Sequence, residues 1–181
     1  MPAAKPARVE AEPPRPLGAH ATNQYHEVWR AVLAVGRLRN GDMAVNRADL
    51  QQLARERILD AKALLTARRW AGAYYLAGYA VECALKACIA KLMKSEEFPD
   101  KNFAEKCWTH DLEKLVALTG LKGDRDAASA TDPDLSANWA TVKDWSEASR
   151  YARMNKVKAR ELYDAVTDAK HGVLSWIKSR W

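Results

Sequence analysis

One long apolar stretch, residues 69–93, limits what this chain can fold into more than any other feature. It reads RWAGAYYLAGYAVECALKACIAKLM and contains no proline. At about 100° per residue, the large apolar side chains share one broad face of a helix, and the opposite face carries small residues. That small face consists of Ala77, Ala80, Ala84 and Ala87. A helix without a polar face is normally covered on every side, so the stretch predicts the central helix of an all-α, antiparallel four- to five-helix bundle.

The charged residues of this helix exclude a membrane span and mark a polar contact in the core. Glu82, Lys86 and Lys91 lie within the stretch, and such charges are rare inside a bilayer. Glu82 shares a face with Tyr75 and Gly78, where an unpaired carboxylate would be costly. The spacing to Lys86 predicts an ion pair within the helix. The alternative is that Glu82 anchors a contact with another helix or subunit.

Composition bounds the class of protein. The chain has 181 residues, a net charge of +6, 48 % hydrophobic and 29 % charged residues, which is typical of a globular domain. Its three cysteines form no CxxC pair and no secretory signal is present, so we expect buried thiols in a cytoplasmic protein. No motif for a metal or cofactor occurs, and none is predicted.

The rest of the chain divides into an extension and one domain. Residues 1–45 are predicted to be a largely disordered extension, with its prolines confined to residues 1–21 and a short helix at 25–38. The domain is predicted to span residues 46–181, starting at Asn46 as a helix N-cap. Its predicted helices cover 48–66, 69–93, 109–119, 134–153 and 156–181, the last broken near Gly172, with loops at 95–107 and 123–133. We expect a homodimer in which the central helix packs against a second copy of itself.

Three sequence blocks resemble the conserved blocks of HEPN domains. They are GAYYLAGYAVECALKACIAK in the central helix, THDLEKL from Thr109, and NWATVKDWSEASRY from Asn138. The similarity extends over roughly residues 46–181. It implies a small helical bundle that dimerises.

Many HEPN proteins are metal-independent ribonucleases, and the resemblance implies where such a site would lie. Their motif is an arginine followed, after four to six residues, by a histidine. The histidine takes the 2′-OH proton while the cation stabilises charge on phosphorus. No histidine follows Arg150 or Arg153 at that spacing, so the motif is incomplete. His171 lies far downstream, and His110 is predicted to make a structural hydrogen bond at a helix start.

The residues that remain at the implied site are Arg150, Tyr151 and Arg153. Arg150 can bind a phosphate through its planar guanidinium, and Tyr151 can hydrogen-bond a phosphate or stack on a base. These two are the catalytic candidates, and all three are predicted to bind nucleotide or RNA. The alternative is a surface ion pair between Arg150 and Glu147 beside a packed tyrosine. Structural or interface roles are predicted for Tyr75, Gly78, Glu82, Lys86, Trp145 and Glu147.

The resemblance also implies a biological context. Such a HEPN protein is expected to pair with a minimal nucleotidyltransferase, in a toxin–antitoxin or related defence arrangement. Its own role would be to bind nucleotide, RNA or that partner. Two alternatives stay open: a metal-independent ribonuclease that uses Arg150 with a non-standard base, and a purely structural dimer that holds a partner enzyme.

Overall fold

The computed structural model describes residues 45–93 and 100–181. Apart from residue 45, the predicted extension and its short helix lie outside the described residues. Within those two ranges the secondary structure is entirely helical, which confirms the predicted all-α class. The helices are α1 (Arg47–Thr66), α2 (Trp70–Leu92), α3 (Lys101–Cys107), α4 (Leu112–Leu118), α5 (Lys122–Thr131), α6 (Pro133–Lys143), a 3₁₀ helix (Glu147–Tyr151), α7 (Lys156–Thr167) and α8 (Val173–Lys178).

Helix α1 starts at the predicted N-cap. The Asn46 side chain accepts hydrogen bonds from the N–H groups of Ala48 and Asp49, and the Asp49 carboxylate accepts the Asn46 N–H at 3.1 Å. This reciprocal capping box satisfies N–H groups that have no partner inside the helix. Three residues, 67–69, then connect α1 to α2, and the two helices pack along each other.

Helix α2 is the centre of the described domain. It contacts α1, α4, α7, α8 and the 3₁₀ helix. Its small face, predicted to pack against a second copy, is already covered by the chain itself. Ala77, Ala80, Ala84 and Ala87 are all 0 % exposed in the single chain. The homodimer stays a prediction, and it would need another surface.

The closest packing around α2 is between its backbone and an indole ring. Trp145 is 2 % exposed and lies against Gly78. A Cβ built on Gly78 would come within 2.3 Å of the indole Cγ and Cδ1, so only glycine leaves room for the ring. Tyr75 packs beside it, with its ring centroid 6.0 Å from that of Trp145. The tryptophan therefore fixes the segment before the 3₁₀ helix directly onto α2.

Two segments predicted as loops contain helices. The described part of 95–107 includes α3, and 123–133 lies largely within α5. Both helices are short and polar, and such segments resemble loops in sequence. At the start of α3 the Asp100 carboxylate accepts the Phe103 N–H at 3.0 Å, whereas no side chain caps α5.

The single helix predicted at 134–153 is also wrong. Helix α6 ends at Lys143, and the chain resumes as the 3₁₀ helix at Glu147. Trp139, Val142 and Trp145 are nevertheless buried, as predicted. Spacing of three residues fits both helix types, so the pattern of buried residues does not reveal the change.

The helix predicted from Thr109 begins three residues later. Asp111 caps α4 by accepting the Lys114 N–H at 3.1 Å. Gly120 has φ +74°, a left-handed conformation that suits glycine after a helix end. This places His110 just before the helix rather than inside it.

None of the helices in the described part of the chain combines the length and apolarity needed to cross a membrane.

We predict that Gly78→Ala destabilises the protein, because the added methyl group must displace the buried indole of Trp145. Overpacking of this kind typically costs about 1–3 kcal/mol. Chemical denaturation followed by circular dichroism would measure the change.

The matched control is Gly72→Ala on the same helix. Its Cβ would meet only Leu64, at 3.0 Å from the Cδ1 methyl carbon at the end of a flexible side chain. Alanine also favours a helix by about 1 kcal/mol relative to glycine, so this variant should be neutral or more stable. Equal destabilisation by both substitutions would contradict the assigned role of Trp145.

Candidate functional site

The predicted ion pair on α2 is present and has a third member. Glu82 is 2 % exposed, and its Oε1 accepts a hydrogen bond from Lys86 Nζ at 2.9 Å. The same oxygen lies 2.9 Å from Nδ1 of His110, which is 28 residues away in sequence. Both of the interpretations considered for Glu82 therefore hold in part: it pairs within its helix and also anchors another segment.

His110 extends this contact to the surface. Its Nε2 lies 2.7 Å from Oε2 of Glu147 at the start of the 3₁₀ helix. Both ring nitrogens thus face carboxylate oxygens, which only accept hydrogen bonds. The contact of Nδ1 with Glu82 is a hydrogen bond, whereas the approach of Nε2 to Glu147 is a close ion-pair contact. His110 therefore makes the predicted structural hydrogen bond and also contacts a second carboxylate.

Glu147 connects the buried pair to Arg150. Its Oε1 lies 3.9 Å from a terminal nitrogen of Arg150, so the predicted Glu147–Arg150 pair is present but long. The Arg150 guanidinium lies over the ring of Tyr151, 4.9 Å from its centroid. Contacts with Tyr151, and more weakly with Tyr75 and Glu147, raise the pKa of Arg150.

The three predicted binding residues all lie at the surface. Tyr151 is 82 % exposed, and Arg150 and Arg153 are also exposed. The tyrosine is therefore not packed as the alternative required, while its neighbour Ser149 is buried. Among the described residues, Arg153 makes no ion pair.

A cleft of about 650 Å³ lies beside His110 and Glu147. Four carboxylates line it, against one lysine and the imidazole of His110. Its residues are Thr109, His110, Asp111, Glu113, Lys143, Asp144, Trp145, Ser146 and Glu147. Negative charge of this density repels phosphate. Arg150 and Tyr151 do not line this cleft. A phosphate bound by these two residues would therefore contact the surface beside the cleft.

The three cysteines are free thiols, as expected, and two of them are buried. Burial, reinforced by the charge of Glu82, raises the pKa of Cys83 to about 11. Burial also raises the pKa of Cys88 and, less completely covered, of Cys107. Thiols of raised pKa carry little thiolate at neutral pH and are poor nucleophiles.

His171, which the sequence placed far from the Arg150 motif, belongs to a separate cluster. Its Nδ1 lies 2.8 Å from Asp132 Oδ2, and its Nε2 lies 3.8 Å from Asp134 Oδ2. These three residues could bring ligand atoms together. The Asp132 carboxylate, however, is already used by His171 and by the Leu135 N–H. The contacts of this cluster are therefore accounted for as an ion pair and the N-cap of α6.

Sequence reasoning identified the two ends of the site and missed its centre. It placed Glu82 with Lys86 and Glu147 with Arg150, but it did not connect them through His110. The only signal for this connection was the position of His110 beside a predicted helix start, in a chain with a carboxylate, Glu82, on an apolar helix. A second signal was available for the surface: five of the eleven residues 150–160 are Lys or Arg, and none is acidic.

We predict that the His171–Asp132 pair stabilises the fold only in a defined pH range. The hydrogen bond to Asp132, followed by the charges of Asp132, Asp134 and Asp168, raises the pKa of His171. Its stabilisation is therefore present below the unfolded pKa of about 6.5 and is lost as pH rises through the folded value. The same pair lowers the pKa of Asp132, so its contribution is lost as pH falls below about 4.

His171→Asn tests this because asparagine keeps a donor but has no charge. The variant should melt below wild type at about pH 5.5, and the two should converge at about pH 9. An equal deficit at both pH values would show that packing, rather than charge, accounts for the contribution of His171.

Comparison of the chain with family models, with curated proteins and with solved structures found no match. The resemblance to HEPN domains therefore rests on the three sequence blocks, and the function has to be argued from the geometry of the site.

Proposed function

We propose that this chain is a HEPN-type helical protein that binds RNA or a nucleotide through Arg150, Tyr151 and Arg153. The observation that carries the proposal is an exposed guanidinium lying over an exposed phenol ring, at 4.9 Å. Such a pair offers charge for a phosphate and an aromatic face for a base.

The guanidinium of Arg150 has donors to spare. Its acidic neighbour Glu147 is held by His110 at 2.7 Å, whereas the Arg150–Glu147 distance is 3.9 Å. A phosphate could therefore take two parallel hydrogen bonds from the planar fork without breaking a strong pair. Glu147 then acts as the support that connects Arg150 to the core through His110.

The partners implied by the resemblance belong to the same proposal. They are a minimal nucleotidyltransferase, in a toxin–antitoxin or related defence pair, and a second copy of the chain. Because the alanine face of α2 is covered, a homodimer in a HEPN-like bundle would use exposed apolar side chains. Leu59 on α1 is 66 % exposed, and Leu92 at the end of α2 is 52 % exposed.

We predict that Arg150→Ala weakens binding of a short oligoribonucleotide about tenfold, the loss expected for about 1.4 kcal/mol of contact energy. The slope of log affinity against log salt should fall by about 0.7, since one phosphate contact on a single strand is lost. Fluorescence anisotropy with a labelled decauridylate at several salt concentrations would measure both changes.

The melting temperature of Arg150→Ala should stay close to wild type, because a long, exposed ion pair contributes about 0–1 kcal/mol. Two controls sharpen the result. Arg150→Lys keeps the charge without the planar fork and should bind with intermediate affinity. Lys122→Ala removes one exposed charge that lines neither the acidic cleft nor the Arg150 surface. If Arg150→Ala instead lowers stability and leaves affinity intact, the Glu147–Arg150 pair is structural and the binding site is elsewhere.

A second candidate function, metal-independent RNA cleavage, is favoured by the position of His110. Its Nδ1 is oriented by the buried Glu82, and its Nε2 shares Glu147 with Arg150. This is the arrangement of a general base held by a carboxylate beside a cation. For catalysis, neutral Nε2 would have to leave Glu147 and accept the 2′-OH proton. O2′ would then form a bond to phosphorus while the P–O5′ bond breaks and the 5′-oxygen takes a proton from water.

We predict that the wild-type protein cleaves RNA weakly or not at all, because Glu147 occupies Nε2 of His110. Incubation of labelled RNA with purified protein in EDTA, followed by denaturing gel electrophoresis, tests this. Efficient cleavage that His110→Gln abolishes, without loss of RNA binding, would establish the second candidate in place of the first. Tyr151→Phe is the companion variant, since it removes the other group near Arg150 that could take a proton.

A further inference from the structure

A second cleft, of about 520 Å³, differs from the acidic one in the sign of its charge. It lies where the turn between α1 and α2 meets the beginning of α7. Three cations line it, namely Arg68, Lys156 and Arg160. The rest of the lining is Trp70 and the last two residues of α1, Leu65 and Thr66. No acidic residue is part of the lining.

The three cations of this cleft are unpaired within the described ranges 45–93 and 100–181. Arg68, Lys156 and Arg160 form no ion pair there, so no carboxylate of those ranges offsets their charge at contact distance. Like charges around one cleft repel each other and raise the local positive potential. A bound anion would offset that repulsion, which makes the cleft complementary to phosphate.

The backbone of Arg68 has a conformation that makes this residue useful for testing the cleft. It has φ +57°, the only positive φ of a non-glycine residue in the described chain. The position follows the end of α1, where glycine is usual because it adopts this conformation without steric cost. The conformation closes the end of α1, because the N–H groups of Arg68 and Arg69 donate to the carbonyls of Leu65 and Leu64. Glycine could adopt it without the steric cost of a side chain, so Arg68→Gly removes the guanidinium and keeps the helix end.

Trp70 indicates the kind of anion. It is partly exposed and belongs to the same lining as the cations. An indole face can stack on a base or ribose while the cations hold the phosphate. The cleft volume also falls within the range of small-ligand sites, which is roughly 300–1,000 Å³, and exceeds what an inorganic phosphate needs.

We propose that this cleft binds one nucleotide unit, with its phosphate at Arg68, Lys156 and Arg160 and its base or ribose against Trp70. The unit is either a free nucleotide or one residue of an RNA strand. In the second case the proposal rests on the proposed function, with the strand continuing to Arg150 and Tyr151. The connection is short, because Arg153 and Lys156 are three residues apart and at most about 11 Å from each other along the chain.

Arg68→Gly provides the sharpest test, because a structural role and a binding role predict different outcomes. Glycine relieves the left-handed strain, so the melting temperature should be equal to or higher than that of wild type. Removing the guanidinium should weaken binding about tenfold, as for other charge-assisted phosphate contacts. Arg160→Ala should weaken binding similarly from a different helix, and Lys122→Ala, outside the cleft, should not.

Two probes distinguish the sources of the nucleotide, measured with the full chain by anisotropy and by competition. The first is fluorescein-labelled decauridylate and the second is unlabelled ATP. If ATP binds and loses affinity in Arg68→Gly, the cleft takes a free nucleotide. If only the oligonucleotide binds and shows this loss, the cleft takes part of an RNA strand.

The result that overturns the proposal is a wild-type affinity for both probes in Arg68→Gly and Arg160→Ala. A loss of binding in Arg150→Ala with no loss in these two variants would leave the proposed function intact and eliminate the cleft. A loss of binding in Arg68→Gly and Arg160→Ala with no loss in Arg150→Ala would support the cleft and eliminate Arg150 as the binding site. Sedimentation with phosphatidylglycerol vesicles is the final arm: if the same substitutions abolish vesicle binding but not RNA or ATP binding, the surface recognises lipid instead.

Discussion

A carboxylate inside an otherwise apolar helix is the constraint on which the rest of this structure depends. Glu82 is buried at the centre of α2, where an unpaired charge would cost several kcal/mol. Lys86 provides one partner from the same helix, and His110 provides the other. The segment before α4 must therefore lie against α2, and His110 in turn lies 2.7 Å from Glu147 at the start of the 3₁₀ helix. The contacts of the buried carboxylate thus extend to the surface beside Arg150.

The two clefts show how one small helical domain separates charge. Four carboxylates line the cleft beside His110, whereas the turn after α1 and the beginning of α7 bring three cations together. The exposed chain between them carries Arg150 and Arg153. An anionic ligand would thus meet repulsion on one side of the 3₁₀ helix and attraction on the other, which orients it along the basic segment 150–160. The moderate net charge of +6 conceals this division.

Most of the core could be predicted from the sequence, because the hydrophobic periodicity of residues 69–93 is a local signal. The capping box at Asn46, which marks the start of α1, is another local signal. The helices α3 and α5 could not, since both are short and polar. The contact between Glu82 and His110 joins residues 28 apart, and the cationic cleft joins Arg68 to residues of α7. No local pattern encodes such distances. The alanine face was read correctly as buried, but the sequence could not show that the chain's own helices cover it.

The packing of Trp145 on Gly78 has a consequence for the energetics of recognition. The indole rests on the backbone of α2 without an intervening side chain, so the segment that leads to the 3₁₀ helix has little freedom to rearrange. Arg150 and Tyr151 follow within six residues. Their backbone is ordered before any ligand arrives, and only side-chain rotamers remain to be fixed, at about 0.5–1.5 kcal/mol each. If the proposed ligand binds here, association would proceed with little loss of backbone entropy and at a rate set by diffusion and charge rather than by folding of the segment.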